Sequence, residues 1–565
     1  MGADGAEPTV SDWPNAGRRA RDSPHNVTEG PPPDPQPGAP GGAMKSTHTR
    51  TAVTTATAAA AVLALLGAAL PSVTEAGGGP DLSRFYNQRI AWSSCPGEGA
   101  PRDLQCGKVT VPIDYARPEA GTVDVAMTRY RASAGSRGSV LLNFGGPGGA
   151  GVPELAAGGK DFLHLTNAYD VVTFDPRGVG QSSPISCGQR AAGDTDADDT
   201  VIDVTNPRAA LTQIRKTADQ CAKHSGPLLP HMGTVDVARD LDVMRQALGD
   251  KKLNYLGFSY GTRLGAVYAA QFPGKVGRMV LDGVDTLTES LAEQGLVGAQ
   301  GQQTALEGFL DSCVKHLLCP FGSDARSARE QVVQLVARLD KQPASTPLGQ
   351  PFTGQDLVAG ISELLFSKRM WPMLEQGLSQ LMEQGDPSGI MYYSGLSISA
   401  PSVHRANGGI VAPNDVPVDN MTAALMAVNC ADDPDRPSAD RITKDITRLR
   451  GQYDEASPVF GRYRLTQVLT CYGRPKGTDF IREKVKNVHS AKMLLVGTRG
   501  DPATPYRWTL ETAKRLGPSA VVLDNRGEGH TGYTTSQCVH RKVDSFLLYG
   551  SLPADGSSCG PDTAG

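Results

Sequence analysis

The chain has 565 residues, of which 39% are hydrophobic and 20% charged, with a formal net charge of −4. That length allows a sizeable core in one large domain with an insertion or in two domains, and the charge balance gives no reason to expect nucleic acid or an anionic membrane as a partner. Ten cysteines form an even set without a Cys-x-x-Cys pair, and no His-Glu-x-x-His occurs. Zinc therefore has little support, no metal or cofactor is expected, and disulfides in an oxidising compartment are the better reading.

Residues 1–43 are rich in Pro, Gly, Asp and Arg without apolar periodicity and read as a disordered extension. A signal peptide is predicted over 44–76: His48 and Arg50 precede an apolar run from about Ala56 to Leu70, with Ala69 or Ala76 as small residues for cleavage. The run is short and alanine-rich for a membrane span, so no stable membrane association is expected after cleavage. Export starting from Met44 is the expectation, and N-terminal sequencing of the precursor checks it.

Residues 77–284 read as the first half of an α/β core. Val109–Tyr115 and Val123–Tyr130 alternate apolar and polar residues, as half-buried antiparallel strands do. Ser139–Phe144 and Asp170–Phe174 are continuous apolar runs, the mark of strands covered on both faces. The first ends in Gly145-Gly146-Pro147-Gly148-Gly149. A helix is predicted over Val235–Leu248 with Thr234 as N-cap. The strand Leu253–Gly257 then leads through Phe258-Ser259-Tyr260-Gly261 into small and apolar residues at helical spacing. Strands alternating with helices imply a mostly parallel sheet with helices on both faces. Residues 285–490 hold helical patches, such as Ala328–Leu339 and Met373–Met382, but few buried-strand runs, and are expected to form a cap over the carboxyl ends of the sheet. The core resumes over 491–565 with strands Lys492–Gly497 and Ala520–Asp524, a helix over Cys538–Leu548 and a Gly/Ser/Pro-rich tail.

Gly257-x-Ser259-x-Gly261 between a strand and a helix is the setting of a nucleophile elbow, whose tight turn demands nearly side-chain-free neighbours. The same string at Gly556–Gly560, around Ser558, stands in the tail and lacks that setting. A serine hydroxyl needs a base and a group that orients the base, and in this architecture they follow as Asp and then His. Asp501 follows one late strand and His530, in a glycine-lined loop, follows the next. Asp282, also at a strand end, is the rival acid. Thr504 is placed to hold the Asp501 carboxylate towards His530. The oxyanion of a tetrahedral intermediate needs preorganised donors, expected from the backbone amides of Tyr260 and Gly146. The same triad would equally serve a carboxylesterase.

Asn143–Gly149, Phe174–Gly180, Asn254–Thr262 and Asp501–Pro505 together resemble the secreted tripeptidyl aminopeptidases of actinomycetes, within the α/β-hydrolase fold group that includes prolyl iminopeptidases. The likeness spans about Trp92 to Cys559. It implies an α/β-hydrolase fold with a cap and a TAP-like C-terminal portion, a Ser259–Asp501–His530 triad, and release of short peptides, typically tripeptides, from free N-termini of peptides or proteins outside the cell. Asn143-Phe144 stands where prolyl iminopeptidases usually carry a histidine, which argues against single-proline specificity. Recognition of a protonated amine calls for a carboxylate, for which Asp432 is the candidate. The resemblance further implies disulfides pairing Cys95 with Cys106, Cys187 with Cys221, Cys313 with Cys319, Cys430 with Cys471 and Cys538 with Cys559.

Overall fold

Two kinds of strand, distinguished by their side-chain pattern, build the main sheet of the computed structural model, which describes residues 79–96, 100–188, 204–346, 349–395, 410–477 and 485–560. The predicted extension and signal peptide lie outside the described residues. The edge is antiparallel: β1 (Ser93–Ser94), β2 (Leu104–Pro112) and β3 (Thr122–Tyr130). The remainder is parallel: β4 (Ser139–Asn143), β5 (Asp170–Phe174), β6 (Leu253–Phe258), β7 (Val276–Asp282), β8 (Met493–Gly500), β9 (Ala520–Glu528) and β10 (Ser557–Cys559). Their order is β1-β2-β3-β5-β4-β6-β7-β8-β9-β10. This is the α/β-hydrolase architecture that the resemblance implied.

The continuous apolar runs are explained by two cores. In β4, Val140 and Leu142 face a core with Leu155 of α1 (Gly151–Gly158) and Val539 and Phe546 of a helix at Gln537–Tyr549, while Leu141 faces the other. That other core holds Leu241 of a helix at Thr234–Ala247 and Leu264 of a helix at Tyr260–Gln271. Each such side chain, taken fully from water, contributes about 1.5–3 kcal/mol. β8 and β9 run further than their apolar cores predict, to Gly500 and Glu528, so the strand ends lie next to Asp501 and His530. β10, a three-residue edge strand in the supposed tail, pairs with β9 beside the Cys538–Cys559 disulfide. All five cysteine pairs implied by the resemblance are bonded.

Between β7 and β8, no described residue joins the main sheet. The helices there include those at Leu291–Cys313, Ala325–Lys341, Gly354–Leu364, Trp371–Gln384, Asn420–Asp432 and Ala439–Ala456. In chain order, with a helix at Pro207–Ser225 as α2, the helices from Thr234 onward are α3 (Thr234–Ala247), α4 (Tyr260–Gln271), α5 (Leu291–Cys313), α6 (Ala325–Lys341), α7 (Gly354–Leu364), α8 (Trp371–Gln384), α9 (Asn420–Asp432) and α10 (Ala439–Ala456). The final two are α11 (Tyr506–Leu516) and α12 (Gln537–Tyr549). One core of this region gathers Phe309, Leu335, Ile361 and Leu374; a second joins Ile442, Ile446 and Tyr453 of α10 to Leu211 and Ile214 of α2. The helical region is thus packed onto a helix that precedes β6 in sequence. It is also clasped to the core by Asn420, whose side chain accepts from Gly180 N (2.8 Å) and donates to the carbonyls of Gly178 (2.9 Å) and Ile185 (2.8 Å).

Candidate active site

Ser259 ends β6 and opens α4 with φ 55° and ψ −125°, a left-handed conformation that costs a side-chain-bearing residue on the order of 1–3 kcal/mol. The surroundings enforce it. A Cβ on Gly257 would stand 2.5 Å from the Gly261 carbonyl oxygen, and one on Gly261 would stand 2.7 Å from that of Asn143. Ser259 N donates to the Asp282 carbonyl (2.9 Å), which fixes the turn to β7. Tyr260 N belongs to the first turn of α4 and so has no intrahelical acceptor, and the helix dipole adds positive potential there. The glycine turn after β4 lies against this elbow: a Cβ on Gly145 would come 2.8 Å from Ser259 Cβ and 3.3 Å from Tyr260 N. Gly146, exposed at the cavity wall, follows directly.

The late loops bring the acid and the imidazole together. His530 Nδ1 lies 2.9 and 3.0 Å from the two Asp501 carboxylate oxygens. Asp501 is buried and also accepts from Ala503 N, Thr504 N and Thr504 Oγ1 at 2.8, 2.8 and 2.9 Å, and from Thr531 N at 3.2 Å. Burial alone would raise the Asp501 pKa, but His530 and these donors outweigh it and hold the carboxylate below its ordinary range. Burial likewise works to lower the His530 pKa, and the Asp501 charge overcomes it, leaving the imidazole above 6.5. Thr504 Oγ1 lies 3.4 Å from His530 Nδ1 and thus joins both partners. The rival acid is used differently: Asp282 accepts from Gly532 N and Tyr533 N (2.7 Å), and burial pushes its pKa up to about 6. It anchors the loop that carries His530.

Ser259, His530, Thr504, Gly145 and Gly146 open on one cavity of about 740 Å³. Its core-side wall includes Phe144, Phe162 and Phe258; its other wall includes Gln294, Gly298, Glu363, Phe366, Met421, Leu425, Arg464 and Gln467. Phe366 touches the imidazole directly: its ring packs edge-on to His530 (5.0 Å between centroids), and its carbonyl accepts from His530 N (2.7 Å). Arg263, one turn into α4, also reaches the cavity, held by Asp285 (2.8 Å) and Asp432 (3.3 Å).

Asp432 is placed otherwise than expected. Its carboxylate accepts from Thr234 N (2.8 Å), Thr234 Oγ1 (2.5 Å) and Arg263, is 5% exposed, and is not among the cavity-lining residues. The first amide of α3 and a buried guanidinium claim both oxygens, leaving no open acceptor for a substrate ammonium. For the same reason Thr234 is the first helical residue rather than the N-cap, which is Gly233. Phe366, Glu363, Arg464 and Gln467 have no signal in the sequence beyond their place in the segment 285–490. The Asp175-Pro176-Arg177-Gly178 stretch turns out to be scaffold. Asp175 receives Val152 N and Gln181 N, and fully buried Arg177 pairs with Asp240 (2.5 Å) and three carbonyls.

Among the described residues, one group has metal-ligand proximity: His164, His540 and Asp544, whose donor atoms lie within 4.8 Å of one another. It is away from the Ser259 cavity, and Asp544 is already engaged by the Tyr533 hydroxyl (2.8 Å). No helix among the described residues is long and apolar enough to cross a membrane.

Residues 138–373 match the family model described as alpha/beta hydrolase fold, and residues 457–559 the one described as TAP-like protein. The serine protease Hip1 of Mycobacterium tuberculosis is 32% identical over 84% of this chain and 91% of its own length. A tripeptidyl aminopeptidase of Streptomyces coelicolor is 31% identical over 85% and 87% of the two chains. A carboxylesterase B of Mycobacterium tuberculosis is 30% identical over 83% and 90%. A serine set in an elbow, a fold that both family models match and full-length relatives of this kind lead to one conclusion: the chain belongs to the α/β-hydrolase family of serine peptidases that includes the tripeptidyl aminopeptidases and Hip1.

Proposed function

We propose that the chain is an exported serine exopeptidase that releases short peptides, tripeptides in the first instance, from free N-termini, with Ser259, His530 and Asp501 as its catalytic triad. The observation that carries this reading is the double contact of His530 Nδ1 with buried Asp501, with His530 and Ser259 lining one cavity. With Nδ1–H held by Asp501, Nε2 is the basic nitrogen. It takes the Ser259 proton as Oγ attacks the scissile carbonyl, then returns it to the leaving amine. The amides of Tyr260 and Gly146 receive the oxyanion, and water enters by the same base to release the acyl group. The five disulfides fit an oxidising compartment and support export.

A free N-terminus needs a carboxylate with an open oxygen. Glu363 meets that need better than Asp432: it lines the cavity beside His530, and among the described residues no Lys or Arg forms an ion pair with it. The test compares a tripeptidyl-anilide, the same compound with an acetylated N-terminus, and a short acyl ester. The free tripeptide is expected to be turned over fastest. Equal rates on the acetylated compound would remove the exopeptidase reading, and ester turnover without peptide turnover would favour an esterase, an activity for which carboxylesterase B is named.

A further inference from the structure

We propose that Arg464 and Gln467 form a subsite for a carboxylate side chain, Asp or Glu, in the peptide that the enzyme releases. The proposal rests on the exopeptidase reading and adds to it the class of residue accepted. Arg464 closes a short helical turn at Gly461–Arg464 and Gln467 lies in the 3-10 turn that follows, three residues on, so the two side chains share a face. Both line the cavity that holds Ser259.

Among the described residues, the Arg464 charge has no ion-pair partner. Arg464 Nε donates to Gln302 Oε1 (2.9 Å), and among the described residues no carboxylate lies within ion-pair distance of its guanidinium. Arg263, in the same cavity, is by contrast matched by Asp285 and Asp432. Gln467 Oε1 is buried without a hydrogen-bond partner; as an acceptor it offers nothing to a carboxylate, and it is the Nε2–H of the same amide, turned about its last bond, that donates to one. Burial opposes the Arg464 charge and lowers its pKa, and the nearby Tyr453 offsets this only in part. A guanidinium kept partly from water without a counter-ion is costly, and a bidentate carboxylate is the partner that its geometry fits.

Helix α5 gives the scale. Its Gly295, Gly298 and Gly301 stand three apart on one face: a Cβ on Gly295 would lie 2.9 Å from Gln467 Oε1, one on Gly298 3.5 Å from Arg464 Cζ, and one on Gly301 3.3 Å from the Asp501 carbonyl oxygen. Three residues of α-helix rise about 4.5 Å. The guanidinium therefore sits roughly one helical turn from the acid loop. An extended peptide advances about 3.3–3.6 Å per residue, and Ser259 and Arg464 line the same cavity, so which of the residues on the acyl side of the scissile bond meets the guanidinium is what the experiment reads. The Arg464 guanidinium repels a substrate ammonium from its own position, which separates the two charge preferences: carboxylate side chain at Arg464, amine at Glu363.

The experiment takes the free-amine tripeptidyl-anilide Ala-Ala-Ala and replaces each position in turn by Glu, Gln or Lys. In the wild-type enzyme kcat/KM for Glu should exceed that for Gln by about 10- to 100-fold at one position, the range of a charge-assisted hydrogen-bonded contact. Arg464→Met should bring that ratio to about 1, and Arg464→Glu should favour Lys at the same position. Equal turnover of Glu and Gln compounds at all three positions in the wild type overturns the proposal without any variant, as does a Glu preference that survives Arg464→Met. Turnover of Ala-Ala-Ala reports separately on the exopeptidase reading. Calorimetric binding of the Glu and Gln peptides to Ser259→Ala gives the Arg464 result even where no anilide is cleaved: tighter binding of the Glu peptide supports the subsite, and equal affinity refutes it.

Discussion

The two walls of the cavity are built by different means. On the sheet side, Ser259, the glycine turn, Asp501 and His530 each stand at the carboxyl end of a parallel strand, and their positions follow from backbone geometry within a few residues. On the helical side, Glu363, Phe366, Arg464 and Gln467 come from segments 100 residues apart in sequence and meet only because separate helical cores pack them together. The first wall carries the groups proposed for the reaction, with both carboxylate oxygens of Asp501 hydrogen-bonded. The second carries charges left open, as a surface that meets a variable substrate requires. On the proposed reading, reaction type belongs to the sheet and selectivity to the helical region, and the division can be tested from each side.

Ser259→Ala should give the largest effect, a loss of kcat on the order of 10⁶-fold on any substrate the enzyme turns over. The far-ultraviolet circular dichroism should stay unchanged. Asp501→Asn comes next, with a fall of about 10⁴-fold, the scale for an acid that orients the base. It also carries a pH signature. In the wild type the His530 pKa is raised above 6.5, so the neutral base forms only above that pH and kcat/KM should fall as pH drops through the raised value. Removing the Asp501 charge leaves burial as the largest remaining influence, which lowers the imidazole pKa. The acid limb of the residual activity should then move below pH 6.5. An unshifted limb would show that another group titrates.

Asn420→Ala probes how the two walls are held together. It strands Gly180 N and the carbonyls of Gly178 and Ile185 at a site 3% exposed, and should cost on the order of 3 kcal/mol of stability. Thermal inactivation should speed up accordingly. If the insertion is a separable layer, its own spectroscopic transition should precede that of the sheet.

How much of the fold and the site is legible in the sequence follows the same division. Buried parallel strands announce themselves as apolar runs, and an elbow needs its glycines within five residues, so the order of residues along the chain is enough to nominate Ser259, Asp501 and His530 as candidates, of which the structure brings His530 onto Asp501 and into one cavity with Ser259. Asp432 could not be placed correctly in this way. Its chemistry suits an ammonium, but whether its oxygens are free depends on Thr234 and Arg263, each more than 160 residues away. The edge strand Ser557–Cys559 escapes for a related reason: three residues have no periodicity, and its pairing rests on a neighbouring strand and a disulfide. Cap helices bury faces against one another, so their apolar spacing reports a core and is silent about which polar residues turn towards the cavity.

Phe366 is a residue through which the helical wall touches His530, and it should give the smallest effect. Its carbonyl accepts from His530 N through the backbone, which a side-chain change leaves in place, while its ring packs edge-on to the imidazole. Phe366→Leu keeps the apolar cover and removes only the ring contact. Pairs of this kind are worth about 0.5–1.5 kcal/mol beyond burial, so kcat/KM should fall by about 2- to 10-fold. The pH profile decides what the loss means. If the ring only excludes water, the acid limb stays with the wild type; if it holds the imidazole against Asp501, the limb moves towards 6.5 as that contact loosens. A loss approaching that of Asp501→Asn would show that the insertion takes part in the chemistry itself, and the division between the walls would fail.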